Sequence, residues 1–171
     1  MPGSSKDTAP RDGLVIGGIY IALFVRDQPP RPNDFHWALY VHTEPKSGRK
    51  YHIKSLGAGW IVDHGPENGV LKTFLLVGLF HVATISPGKD TLDWLDGIFR
   101  TYDTRLNTPE ITCRVWVLWI LQLLKSDNIL ECDDLAALER EVFEFGNKYA
   151  TDAADAKQPR PVETSKICRG L

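Results

Sequence analysis

Between Thr112 and Leu124 the chain places one cysteine ahead of an almost unbroken apolar run, Val115-Trp116-Val117-Leu118-Trp119-Ile120-Leu121. A run of this length fits a helix better than a core strand, which usually stops at about eight residues. A helix apolar on nearly every face must be buried on nearly every face. The run therefore predicts a central helix over about Thr112 to Lys125 with Cys113 at its start. A thiol there feels unpaired amides and the positive end of the helix dipole, both of which favour the thiolate. Thr108-Pro109-Glu110 offers a competing start that would move Cys113 into the second turn.

The most regular strand is His36-Trp37-Ala38-Leu39-Tyr40-Val41-His42. Its alternation sends Trp37, Leu39 and Val41 to one face and His36, Ala38, Tyr40 and His42 to the other. Upstream, Leu14 to Val25 reads as a strand bent at Gly17-Gly18, and prolines make residues 26–34 an extended loop. A turn over Thr43 to Arg49 leads to a return strand, Lys50 to Leu56. A short strand at Trp60 to Val62 and a long apolar run, Val70 to Ile85, follow. The run is one strand broken at Gly78 or two. Asp90 starts a helix to about Tyr102, with Leu92, Leu95, Ile98 and Phe99 inward. Asp133 or Asp134 caps a last helix to about Tyr149, with Leu135, Leu138, Val142 and Phe145 inward. Residues 1–13 and 150–171 are polar and read as a disordered leader and tail around one domain, 14–149. The expected class is α+β, an antiparallel sheet packed against a central buried helix.

Composition excludes several functions. The net charge of -2 leaves no dominant basic face, so no nucleic-acid partner is expected. No apolar run approaches the ~20 residues of a membrane span, and the first residues lack the apolar core of a signal peptide, so the expected compartment is cytoplasmic or nuclear. Three cysteines without regular spacing, Cys113, Cys132 and Cys168, predict reduced thiols, with Cys132 and Cys168 inert. Neither CxxC nor HExxH occurs, so no metal and no cofactor is expected.

A cysteine nucleophile needs an imidazole to take its proton, and the imidazole needs a third group to orient it. Cys113, His36 and His52 are the candidates, in the order strand histidine, strand histidine, helix cysteine. Asp63 and His64 are alternatives to His52. His42, at a strand end, reads as solvated and His81 as a satisfied core histidine. Trp37, Trp116 and Trp119 read as core.

His36-Trp37-Ala38-Leu39-Tyr40-Val41 resembles the HWAxYVG strand of the permuted NlpC/P60 papain-like group, nearest its lecithin:retinol acyltransferase branch. His52 matches the polar residue that the group carries on its next strand. Cys113-Arg114-Val115-Trp116-Val117 is similar in shape to the group's cysteine helix, with Thr112 in place of Asn and Arg114-Val115 in place of Glu-His. The chain also resembles uncharacterised fungal proteins that pair an HW strand with a Cys-Arg-x-Trp helix. The likeness covers about residues 14 to 125. It implies a permuted papain-like arrangement and a cysteine-dependent acyl hydrolase or transferase acting on a small-molecule or peptide acyl substrate. In that reading Cys113 attacks, His36 is the base, His52 orients it and the Cys113 amide binds the oxyanion. The alternative is a non-catalytic binding module on the same fold.

Overall fold

A computed structural model describes residues 13–171. The expected leader, apart from Gly13, lies outside the described residues. Eight strands and three helices follow in chain order. They are β1 (Gly18–Val25), β2 (Phe35–Glu44), β3 (Ser47–Tyr51), β4 (Ile53–Ser55), β5 (Trp60–Val62), β6 (Gly65–Asn68), β7 (Leu76–Thr84), α1 (Lys89–Phe99), α2 (Cys113–Ser126), α3 (Leu135–Ala154) and β8 (Val162–Thr164). Six strands form one sheet in the order β6-β3-β2-β1-β7-β8, and β4 pairs with β5 in a separate hairpin. All pairs are antiparallel except β7 with β8. The class is α+β, as the sequence implies.

Alternation along the central strands divides the interior. Ile19, Ile21, Leu23, Trp37, Leu39 and Val41 pack with the helices in the larger core. Tyr20, Ala22, Ala38 and Tyr40 pack on the other face with Leu14, Val70, Leu76 and Leu79. β1 and β2 are thus buried on both faces, which explains their near-continuous apolar sequences.

The helix start settles on the later of the two possibilities. Thr112 is extended and its hydroxyl accepts from the Val115 amide, so α2 begins at Cys113 and not at Pro109. α2 buries Cys113, Trp116, Val117, Ile120, Leu121 and Leu124 and packs across β2. Asp134 caps α3 in the same way, accepting from Ala137.

Several expectations need correction. The return strand expected over Lys50 to Leu56 is two strands in separate sheets, β3 and β4, with His52 between them. The run from Val70 to Ile85 is a 3₁₀ turn, Val70–Lys72, and then a single strand through Gly78. Gly78 is required because a Cβ there would meet the Pro161 carbonyl oxygen at 2.5 Å and the Phe145 ring at 2.6 Å. α1 begins at Lys89 with Gly88 as its cap, and Asp90 lies inside the first turn. The supposed tail is structured. α3 runs on to Ala154, β8 pairs with β7, and Arg160, Ser165 and Cys168 are buried. Glu141 draws this segment in, accepting from the Ser165 hydroxyl and the Lys166 amide.

Cys132 and Cys168 are both buried and free, and they flank the isolated bridge Glu131↔Arg169. Burial pushes the Cys168 thiol up to about 12.

Gly78→Ala tests how the last residues are held. The added methyl must displace the Pro161 backbone or the Phe145 ring, at a cost of about 1–3 kcal/mol, the usual range for overpacking. A urea midpoint unchanged by the substitution would show that the segment after Ala154 does not press on β7.

Candidate functional site

β3 returns beside β2 with Leu39 opposite Tyr51 and Tyr40 opposite Lys50. One residue further, His52 falls beside Ala38, diagonal to His36 on the same face, where long side chains meet. His36 Nε2 lies 2.7 Å from His52 Nδ1, and the two rings meet edge-on at 5.0 Å. The loop after β5 brings Asp63 to the far side of His52, with Oδ2 3.2 Å from Nε2. That contact has an ion-pair distance without hydrogen-bond alignment. Lys54 holds the same carboxylate oxygen at 2.9 Å.

The charge on Asp63 favours one of the two tautomers this pair allows. The Asp63 carboxylate favours the His52 proton on Nε2, which leaves His52 Nδ1 as an acceptor. His36 Nε2–H then donates to it, and the His36 lone pair is on Nδ1. Among the described residues nothing hydrogen-bonds that nitrogen. Burial, followed by the positive charge each histidine would present to the other, holds His36 down at about 4. Burial and then nearby Lys50 hold His52 at about 4 as well, against the opposing pull of Asp63. The Lys54 hydrogen bond keeps Asp63 below the usual carboxylate range. At neutral pH the site therefore consists of two neutral imidazoles and one carboxylate, with a free lone pair at His36 Nδ1.

Cys113 occupies the first position of α2. With Thr112 accepting from Val115, the amides of Cys113 and Arg114 have no acceptor within the helix. The structure brings His36 and His52 together but leaves Cys113 on the opposite face of β2, with no hydrogen bond to either. The thiol packs in the larger core with Trp37 and Ile53, the residues that alternate with His36 and His52 along their strands. Arg114 next to it pairs with Glu139 of α3.

The alternatives also have definite places. His64 turns toward α2, its ring 5.6 Å from Trp116. It holds Asp103 Oδ1 at 3.1 Å and faces the His52 amide through Nδ1, so it braces the His52 backbone and does not replace its ring. Asp103 has no recognisable motif around it, and its role emerges only once the chain is folded. His42 is not solvated as its position at a strand end suggested. It is 2% exposed, with Nδ1 2.9 Å from the Tyr40 hydroxyl. His81 is buried, stacks on Tyr20 at 4.9 Å and meets the Thr84 hydroxyl at 2.8 Å. Trp37 and Trp116 are fully buried, and Trp119 packs at the margin of the core. Among the described residues no group of three histidine, cysteine or acidic side chains is placed to hold a metal, and no helix is long and apolar enough to cross a membrane.

The model of DUF6914, a family of unknown function, matches residues 18–158. The chain belongs to this family. The match takes in both histidine strands, Asp63 and the cysteine helix. No curated protein and no solved structure matches the chain.

The depressed histidines give a pH prediction with a definite sign. A histidine held at about 4 in the fold and free to titrate at 6.5 when unfolded takes up protons preferentially in the unfolded chain. Stability is full above about pH 6.5 and falls as the pH drops toward about 4. A proton NMR titration should put the His36 and His52 midpoints near 4, and midpoints near 6.5 would show that both rings are solvated and unpaired.

Proposed function

We propose that this DUF6914 protein is a cysteine-dependent acyl hydrolase or transferase of permuted papain-like arrangement. Cys113 is the nucleophile, His36 the general base and His52 the orienting residue. The observation that carries this reading is the His36–His52 hydrogen bond backed by Asp63. Such a pair offers the acceptor nitrogen and the orienting partner that thiol chemistry asks for. Cys113 at the first position of α2 supports it, because a nucleophile there shares its site with unpaired amides able to hold an oxyanion.

The proposed reaction requires Cys113, on the helix side of β2, to move round the start of the strand to His36 on its other face; His36 Nδ1 then takes the thiol proton and Sγ adds to the substrate carbonyl carbon. The amide of Cys113 stabilises the oxyanion. Collapse of the tetrahedral adduct expels the leaving alcohol or amine, which leaves with the proton from His36. The thioester then passes its acyl group to water or to an acceptor amine. Asp63 stabilises the positive charge that the histidine pair carries between these steps. The substrate is a small-molecule or peptide ester, amide or isopeptide.

A second reading is favoured by a specific observation. The Cys113 thiol packs among apolar side chains with no hydrogen bond to an imidazole, as expected of a binding module on the same scaffold whose cysteine is a small buried hydrophobe.

Acylation separates the two. Native protein treated with p-nitrophenyl acetate should form a thioester on Cys113, located by peptide mass spectrometry. Cys113→Ser should form no thioester while keeping its fold, and His36→Ala should slow acylation at least about 100-fold, the low end of a general-base contribution. Acylation at other residues only, or an unchanged rate in His36→Ala, would favour the binding module.

A further inference from the structure

The other face of the sheet carries an unassigned cleft. It lies between the end of β2, the 3₁₀ turn after Gly69 and the segment before β8, and its volume is about 670 Å³, within the range of small-molecule sites. None of the residues proposed for acyl chemistry lines it. Its charge is one-sided. Lys46, Lys72 and Arg160 line it, and none of its described lining residues is acidic. Among the described residues none of the three cations has an ion-pair partner within 4.0 Å. In a chain of net charge -2, the described residues thus gather three cations around one cleft.

Arg160 makes the feature more than a pair of surface lysines. It is 6% exposed. Its Nη1 donates to the Asp152 and Lys157 carbonyls at 3.4 and 3.0 Å, which fixes the guanidinium. Its Nε is buried with no partner, and Nη2 makes no hydrogen bond among the described residues. Nη2 is therefore the guanidinium nitrogen left to meet an oxyanion. A buried cation without a counter-charge is costly to maintain, and a bound anion removes that cost. Leu14, Tyr40 and Val70, which belong to the smaller core, give the cleft an apolar and aromatic part.

We propose that this cleft binds a small phosphomonoester. Arg160 grips the phosphate, Lys46 and Lys72 neutralise its second charge, and the organic body lies on the Tyr40 side. Three cations suit a dianion better than a single carboxylate, and the apolar wall distinguishes an organic phosphate from the free ion. The inference is independent of the acyl chemistry proposed for Cys113.

Calorimetric titration of the full chain at low salt with phenyl phosphate, and separately with inorganic phosphate, tests it. Phenyl phosphate should bind, and more tightly than inorganic phosphate. Lys46→Gln/Lys72→Gln, which changes only exposed side chains, should weaken it at least about tenfold without altering the melting temperature. That loss is what removing a charge-assisted contact predicts. Arg160→Gln should weaken it further in whatever fraction remains folded. No heat with phenyl phosphate, tighter binding of the inorganic ion, or undiminished affinity in the lysine double variant would overturn the proposal.

Discussion

β2 is buried on both faces, and its two-residue alternation sends Trp37, Leu39 and Val41 toward the helices while His36, Ala38 and Tyr40 meet the opposite side. A slip of one residue would turn the imidazoles toward α2 and move Trp37 to the opposite face. Because both faces carry bulky side chains, the register of β2 against β1 and β3 is strongly specified. That register sets His52 diagonal to His36 and so creates the imidazole pair. The same alternation gives Tyr40 and His42 to the second face, where the cationic cleft opens. Both candidate sites are consequences of one strand's pleat.

The apolar run after Cys113 is held by that arrangement in turn. α2 covers the odd-numbered face of β2 and is itself enclosed by α1 and α3. Its start at Cys113 follows from the Thr112 cap, a local hydrogen bond that needs no tertiary help. The thiol position is therefore set by local chemistry, whereas the imidazole pair is set by strand pairing. The two come from independent parts of the sequence.

This difference explains what the sequence made legible. The helix after Thr112, the strand from His36 and the α+β class follow from period and capping, which act over a few residues. The pairing of His36 with His52 also follows, since both alternate onto one face once the strands pair. Asp103 behind His64 did not, because a lone aspartate in a loop carries no periodic signal. Nor did the end of the chain. Its composition is that of a solvated tail, yet Arg160, Val162, Ser165 and Arg169 each find a partner supplied by β7, α3 or the loop before α3. A strand of three residues has too few positions to show alternation. His42 misled for the same reason. A strand end reads as solvated, yet His42 is buried and lines a cleft with Val70 and Thr164.

The central claim is that the His36–His52–Asp63 chain serves Cys113. Its most direct measurement is the rate of iodoacetamide alkylation of Cys113 against pH, resolved by residue, in the native protein and in His36→Ala. If neutral His36 takes the thiol proton, Cys113 should alkylate readily near neutral pH in the native protein and slowly in His36→Ala. A Cys113 that reacts only on unfolding, or with the same profile in both proteins, would contradict it.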